Sequence, residues 1–428
     1  MHSGNVFLVG KNAGFERFLM WAIFGYYFFS FLLPQASQFF LRILPLVIGF
    51  AIYVIHLFYI KIKLSYATVI ALFFISLFSL LASSYLFTQF GFAGMFSMEN
   101  LFFLSLPLFF IVASRLASDQ GLQFIYRFFL LFLSFQLFVM LGQAMKMLTG
   151  IGFSTPAEYS PDIDQAAYRI MLSGTFMNAN DLASLAVMIA AFFLLLNYYH
   201  GYRVGVGLAI VSVILLLTVS RMSIFLYASS LLFVWLCKNR LRLSKILSLL
   251  MCYLPLTILL FLILYSFIDS HSGSIEVFGR IKQRLDTILL VLDGGIAADN
   301  SMSVRYESYL NFVNNLTQLG YGTAKLRNYG EFVSHLGSNF DLLAVNPHSF
   351  IIEIGYWLGW PGLMLFGIFL LSAFFVTKKL FFVFPLVTFI MVSMISSSVL
   401  NNFLLFFSFF LMYFICRPLV FDTQKYKC

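Results

Sequence analysis

Apolar residues fall along this chain in long blocks separated by short polar breaks. The blocks are 16–33, 37–60, 65–87, 100–116, 122–145, 178–199, 203–219, 221–237, 246–268, 349–376, 380–397 and 399–416. A helix needs about 20 such residues to cross a ~30 Å hydrocarbon core. The pattern therefore predicts an all-α polytopic membrane bundle of about twelve transmembrane helices. The stretch 204–237 is interrupted only by Ser220-Arg221-Met222-Ser223. As one helix it would extend about 50 Å, well beyond the hydrocarbon core, so a hairpin at Arg221 is expected. The last pair is divided near Asn401-Asn402 by the same reasoning.

The distribution of Lys and Arg supports this division. With both termini cytoplasmic, the inner segments hold Lys61, Lys63, Arg115, Arg203, Lys378 and Lys379. They also hold the cluster Lys238, Arg240, Arg242 and Lys245 and the tail residues Arg417, Lys425 and Lys427. Positive residues gather inside, and a single span over 204–237 would turn the cluster outward. Three regions follow: an N-terminal transmembrane bundle (1–268), a long external loop (269–348), and C-terminal helices with a cytoplasmic tail (349–428).

Composition narrows the class further. Hydrophobic residues make up 61% of the chain and charged ones only 10%, against roughly a quarter charged in soluble domains. The solvent of this protein is therefore largely lipid. A net charge of +9 would suggest nucleic acid in a soluble protein, but the inner loops account for it here, and no nucleic-acid partner is expected. Cys237, Cys252, Cys416 and Cys428 form no CxxC pair and no disulfide framework. No cleavable signal peptide is evident, so the first span is expected to act as the insertion signal.

Two outer segments are more than connectors. Residues 150–177 are acidic at Glu158, Asp162 and Asp164. Residues 269–348 are long and polar, and hold helical periodicity at 279–292 and 303–319. Amphipathic helices so placed lie along the interface or cap the bundle. The basic residues of this loop are Arg280, Lys282, Arg284, Arg305, Lys325 and Arg327, and solvation at a surface is the simplest account of most of them. Arg305 stands apart because it opens a helix ending in Leu319-Gly320-Tyr321-Gly322, where backbone amides approach a ligand closely.

Other candidates lie at the outer ends of spans. Arg221 at the hairpin either snorkels or meets an anion. His348 stands where the long loop re-enters the membrane, in Val345-Asn346-Pro347-His348-Ser349-Phe350, and either caps the helix or titrates in a reaction. Glu353 is about 140° around the helix from it and is no obvious pair. Asn178, Asn180 and Asp181 either cap the helix that follows or present amides and a carboxylate to a sugar. HExxH, Walker and GxSxG patterns are absent, so metal, nucleotide and serine-hydrolase readings lack support and no cofactor is expected.

Taken in order, these residues resemble the O-antigen ligase and polymerase superfamily of bacterial envelope glycan assembly. The likeness covers roughly residues 170–376. It rests on FMNANDLA at 176–183, Ser220-Arg221 at an outer helix end, the Arg305-to-Gly322 segment, and His348-Ser349 followed after nine residues by Gly359-Trp360-Pro361-Gly362. The resemblance implies metal-independent glycosyl transfer at the outer face of the cytoplasmic (inner) membrane, with polyprenyl-pyrophosphate-linked glycans as donor and acceptor. It suggests His348 as the base that accepts or orients the acceptor hydroxyl, and Arg221 and Arg305 as the pyrophosphate clamp. Arg280 and Arg284 would assist, while Asn178, Asn180, Asp181 and Tyr321 would contact substrate.

The most similar activity is a repeat-unit polymerase for O-antigen or capsular/exopolysaccharide. The alternative is a ligase delivering glycan to lipid A-core. Expected partners are the lipid bilayer and the pathway's flippase and chain-length regulator. A flippase or exporter is the rival of another class, but transporters usually carry mid-membrane charges and paired broken helices, whereas the polar residues here cluster outside. A structural scaffold would need neither Arg221 nor Arg305.

Overall fold

A computed structural model describes residues 13–30, 35–59, 66–95, 98–117, 119–155, 172–176, 178–239, 316–320, 349–377, 383–395 and 403–416, with single positions between 263 and 314. Every regular element among them is helical. The helices are α1 (Ala13–Ser30), α2 (Gln35–Tyr59), α3 (Tyr66–Phe90), α4 (Phe92–Met95), α5 (Met98–Leu116) and α6 (Asp119–Thr149). They continue as α7 (Ala179–His200), α8 (Gly205–Thr218), α9 (Arg221–Asn239), α10 (Phe350–Thr377), α11 (Val383–Ser393) and α12 (Phe403–Ile415). The all-α membrane class is therefore observed. Eleven of the expected runs coincide with a helix; the run 246–268, apart from positions 263, 265 and 266, and the break at Asn401-Asn402 lie outside the described residues. Among the described residues, five helices are long and apolar enough by length and composition to cross a membrane, α10 with its break at Gly359 included, and five more are apolar but shorter.

Apolar side chains cover the outside as well as the inside of this bundle. Phe18, Phe73, Leu80, Phe138, Leu216 and Phe225 are exposed, which suits helices whose outer surface meets lipid. The interior is built on α7 and α12. Every residue of α7 from Leu182 to Leu196 is buried, as is all of α12. Ala183, Ala186, Ala190 and Ala191 lie in that stretch of α7, and small residues let helices approach closely in membranes. Aromatic rings fill the remaining core. Phe24, Phe50, Phe109, Phe403 and Phe407 meet in edge-on, tilted and stacked pairs with centroids 4.6–6.2 Å apart, within the favourable range for such pairs.

The hairpin expected at Arg221 is present. α8 ends with Val219 in the left-handed region (φ 51°), a conformation that costs a β-branched residue roughly 1–2 kcal/mol. Ser220 Oγ and Ser223 Oγ then pair at 2.9 Å, and Ser220 O accepts the Ile224 amide at 2.9 Å, starting α9. Tyr227 Oη reaches back to donate to Leu208 O and meets Ser212 Oγ, each at 3.0 Å. Residues 15 apart on one straight helix would stand about 22 Å apart, so α8 and α9 run antiparallel.

Polar contacts define two ends of the bundle. At one end Glu16, on α1, lies 3.7 Å from His56 Nε2 of α2 and 3.7 Å from Arg115 Nη2 of α5. Arg115 leads into α6, whose Tyr126 Oη donates to Arg203 O at 2.9 Å, and Lys238 Nζ reaches Asn197 Oδ1 at 3.5 Å. Arg115, Arg203 and Lys238 thus share the end that the charge pattern assigned to one side. Arg221 and the residues following α6 occupy the other.

Candidate functional site

The segment leading into α7 is held by two glutamines of α6 that the sequence reading passed over. Gln143 Oε1 accepts the amides of Ser173 and Gly174 at 3.2 and 3.1 Å, and its Nε2 donates to Gly174 O at 2.7 Å. One helical turn pair earlier, Gln136 Oε1 accepts the Thr175 amide at 3.0 Å and Gln136 Nε2 donates to Thr175 Oγ1 at 2.9 Å. Both glutamines are fully buried. Gly174 adopts φ +60°, and a Cβ there would stand 2.5 Å from Gln136 Oε1, so glycine is required twice over. Lys146, one turn beyond Gln143, donates to Ser154 Oγ. The signal in the sequence is the seven-residue spacing of two amides within the apolar middle of α6, one face by helical geometry.

This clamp fixes the start of α7. Asn178 is its N-cap, in extended conformation, with Oδ1 accepting the Asn180 amide at 2.9 Å. The capping reading of Asn178 is therefore realised. Asn180 and Asp181 occupy the first turn and are half-exposed. Arg221 opens α9 at the same end and is also half-buried.

α10 departs from a simple crossing. Gly359 has φ 60° and ψ −156°, a region essentially confined to glycine, and Pro361 follows. The rings of Phe350 and Phe366 meet with centroids 5.5 Å apart, although 16 residues of straight helix span about 24 Å. Leu363 likewise lies against Gly355, four residues on either side of the break. The chain therefore turns back at Gly359-Trp360-Pro361. A first arm of about nine residues lies folded against a longer second arm. Phe366 packs on Phe78 of α3, and Phe369 on Phe110, nearer the Arg115 end of α5. The tip of the fold therefore points toward the Arg221 end. Everything on the first arm from Ile352 to Gly359 is buried, which satisfies the rule that broken helices at membrane depth are sheathed by protein. Ser349, Glu353 and Tyr356 mark one face of that arm at i, i+4 and i+7, and all three are buried.

Part of the long loop docks on this fold. Residues 306, 309–310 and 312–314 are helical, followed by a 3-10 turn at Leu316–Gln318. Phe312 stacks edge-on against Tyr356 at 5.4 Å and fills the space beside Gly355. Gly320 O then accepts the Trp360 amide at 3.0 Å. The glycine turn after the Arg305 segment and the glycine break after the His348 segment therefore touch. At the start of the loop, Tyr265 Oη donates to Asp286 Oδ1 at 2.6 Å and Lys282 pairs with Asp269. Its hydrogen bond to Asp269 holds the Lys282 ammonium above its ordinary pKa, so this cation is committed to a local pair. His348, Arg305, Arg280, Arg284 and Tyr321 lie outside the described residues.

No curated protein and no solved structure matches the chain. The family model described as O-antigen ligase matches residues 206–367, from α8 through the hairpin, the long loop and the fold in α10. The match supports a place for these residues in the O-antigen ligase/polymerase superfamily, with a polysaccharide-related ligase or polymerase role.

Proposed function

We propose that this protein polymerises polyprenyl-pyrophosphate-linked oligosaccharide repeat units into O-antigen or capsular/exopolysaccharide on the outer face of the cytoplasmic membrane. The observation that carries the reading is the contact of Gly320 with Trp360. It joins the segment that follows Arg305 to the segment that follows His348, at the end of the bundle where Arg221 lies. Arg305 precedes Phe312 by seven residues, the spacing of one helical face.

The chemistry asks for what these residues supply. The acceptor hydroxyl attacks the anomeric carbon of the donor, a new glycosidic C–O bond forms, and the bond to pyrophosphate breaks. The polyprenyl pyrophosphate leaves with the bonding electron pair, and arginines clamp such an anion bidentately. His348 takes the proton from the acceptor, a contribution worth about 10²–10⁴-fold. Arg221 and Arg305 form the clamp, with Arg280 and Arg284 assisting. The α7 start, including Asn180 and Asp181, borders the glycan. Metal plays no part in this scheme.

The test is single substitution of His348, Arg305 and Arg221 by alanine, with membrane expression verified and the surface glycan resolved on a gel. Polymerase function is expected to give loss of long chains with the one-repeat product retained. Accumulated lipid-linked polymer with bare core would assign the ligase reaction instead, the activity in the matched family's description. A normal ladder from all three variants would overturn the catalytic reading.

A further inference from the structure

An open groove of about 510 Å³ lies between α7 and α9, lined by Leu194 and Asn197 of α7 and by Leu231, Val234, Trp235 and Lys238 of α9. Lys238 is 17 residues along α9 from Arg221, about 25 Å away, so the groove sits at the opposite end from the candidate site. Its volume falls within the roughly 300–1,000 Å³ of small-molecule sites.

The lining is graded along the helix axis. Leu231, Val234, Trp235 and Lys238 follow one face at i, i+3, i+4 and i+7, so an apolar trough ends in an indole and then a cation. Asn197 Nδ2 donates to Tyr202 O at 2.7 Å, which turns its Oδ1 toward Lys238 Nζ at 3.5 Å. One amide oxygen at that distance uses at most one of the three ammonium hydrogens. Near the end of α7, Leu196 O and Asn197 O accept the amides of Tyr202 and Gly201. The sequence contains no Asp or Glu between 182 and 268, while Arg240, Arg242 and Lys245 follow Lys238. The mouth of the groove is therefore built for an anion, and its body for hydrocarbon. Basic pockets between transmembrane helices bind anionic lipid headgroups.

We propose that this groove is a binding site for an anionic glycerophospholipid. Lys238 and Asn197 hold the phosphate, Trp235 lies at the glycerol level, and an acyl chain runs along Leu194, Leu231 and Val234. The test is reconstitution of the full chain into phosphatidylcholine vesicles doped with dibrominated phosphatidylglycerol or dibrominated phosphatidylcholine, with tryptophan fluorescence as the readout. The brominated anionic lipid is expected to quench more strongly, and that excess should disappear in W235F. K238Q should lower the preference about fivefold, the equivalent of about 1 kcal/mol per basic residue, and K238R should keep it. Equal quenching by the two lipids, or an excess that survives W235F or K238Q in protein of unchanged size-exclusion profile, would overturn the proposal. Trp235 fluorescence quenched by neither lipid would show instead that a second copy or another segment of the chain fills the groove.

Discussion

Replacing Gln143 by leucine removes the amide that holds the lead-in to α7 while keeping the approximate volume of the side chain. Besides a longer bond to Ser154 O, three hydrogen bonds to the lead-in are lost, from the amides of Ser173 and Gly174 and to the carbonyl of Gly174. Each of those backbone groups is buried, and an orphaned one costs about 1–3 kcal/mol. The Gln136–Thr175 pair remains, so the segment relaxes outward rather than unfolding, and about 2–4 kcal/mol is the expected loss of local stability. That corresponds to hydrogen exchange roughly 30- to 700-fold faster at the amides of residues 172–176. Hydrogen–deuterium exchange with mass spectrometry on the reconstituted protein reads this directly. Gln123→Leu, an exposed position on the same helix, serves as the control and should leave exchange in 172–176 unchanged. Shorter glycan chains are expected from the Gln143 variant if the α7 start borders the substrate. Exchange within threefold of wild type would refute the claim that Gln143 fixes this segment.

Three further outcomes follow from the packing. Gly359→Ala forces a side chain into φ 60°, ψ −156° and should cost about 1–3 kcal/mol, seen as earlier thermal aggregation, whereas Gly367→Ala, with open space around it, should be neutral. Arg115→Met leaves Glu16 buried beside His56 and should destabilise by about 3 kcal/mol; the double variant with Glu16→Met should recover most of that in a thermal-shift assay. Phe312→Ala empties the contact with Gly355 and Tyr356 and should cost about 3 kcal/mol of local stability, read as proteolytic sensitivity of the long loop without loss of membrane expression.

Much of the fold was legible because bilayer thickness leaves few options for an apolar chain. The hairpin at Arg221 followed from length alone, and the Tyr227 contacts to Leu208 and Ser212 realise it. The same argument misread 349–376, where a block of the right length folds back on itself. Gly359-Trp360-Pro361-Gly362 was visible, but hydropathy does not register a left-handed glycine. What shows the turn is a pair of rings, Phe350 and Phe366. The capping of α7 by Asn178 was readable from local rules, since an N-cap needs only its own neighbours. Gln136 and Gln143 were not singled out, because their partners in the lead-in to α7 lie 30 to 39 residues away on a segment with no regular structure. Two buried amides at heptad spacing in an apolar helix nevertheless ask for partners, and that requirement could have been raised from sequence. The pairing of Gly320 with Trp360 joins two loops distant in the chain, which no local pattern encodes.

One end of this bundle is proposed to transfer glycan between lipid-linked repeat units without metal, using His348. The most direct measurement is elongation by the purified, reconstituted full chain, with polyprenyl-pyrophosphate-linked repeat units as sole substrate and a chelator present. A ladder of longer lipid-linked glycans is expected from the wild type and at least a ~100-fold slower one from His348→Ala, the low end of a lost general base. Elongation that requires a lipid A-core acceptor, depends on added metal, or proceeds equally in His348→Ala would contradict it.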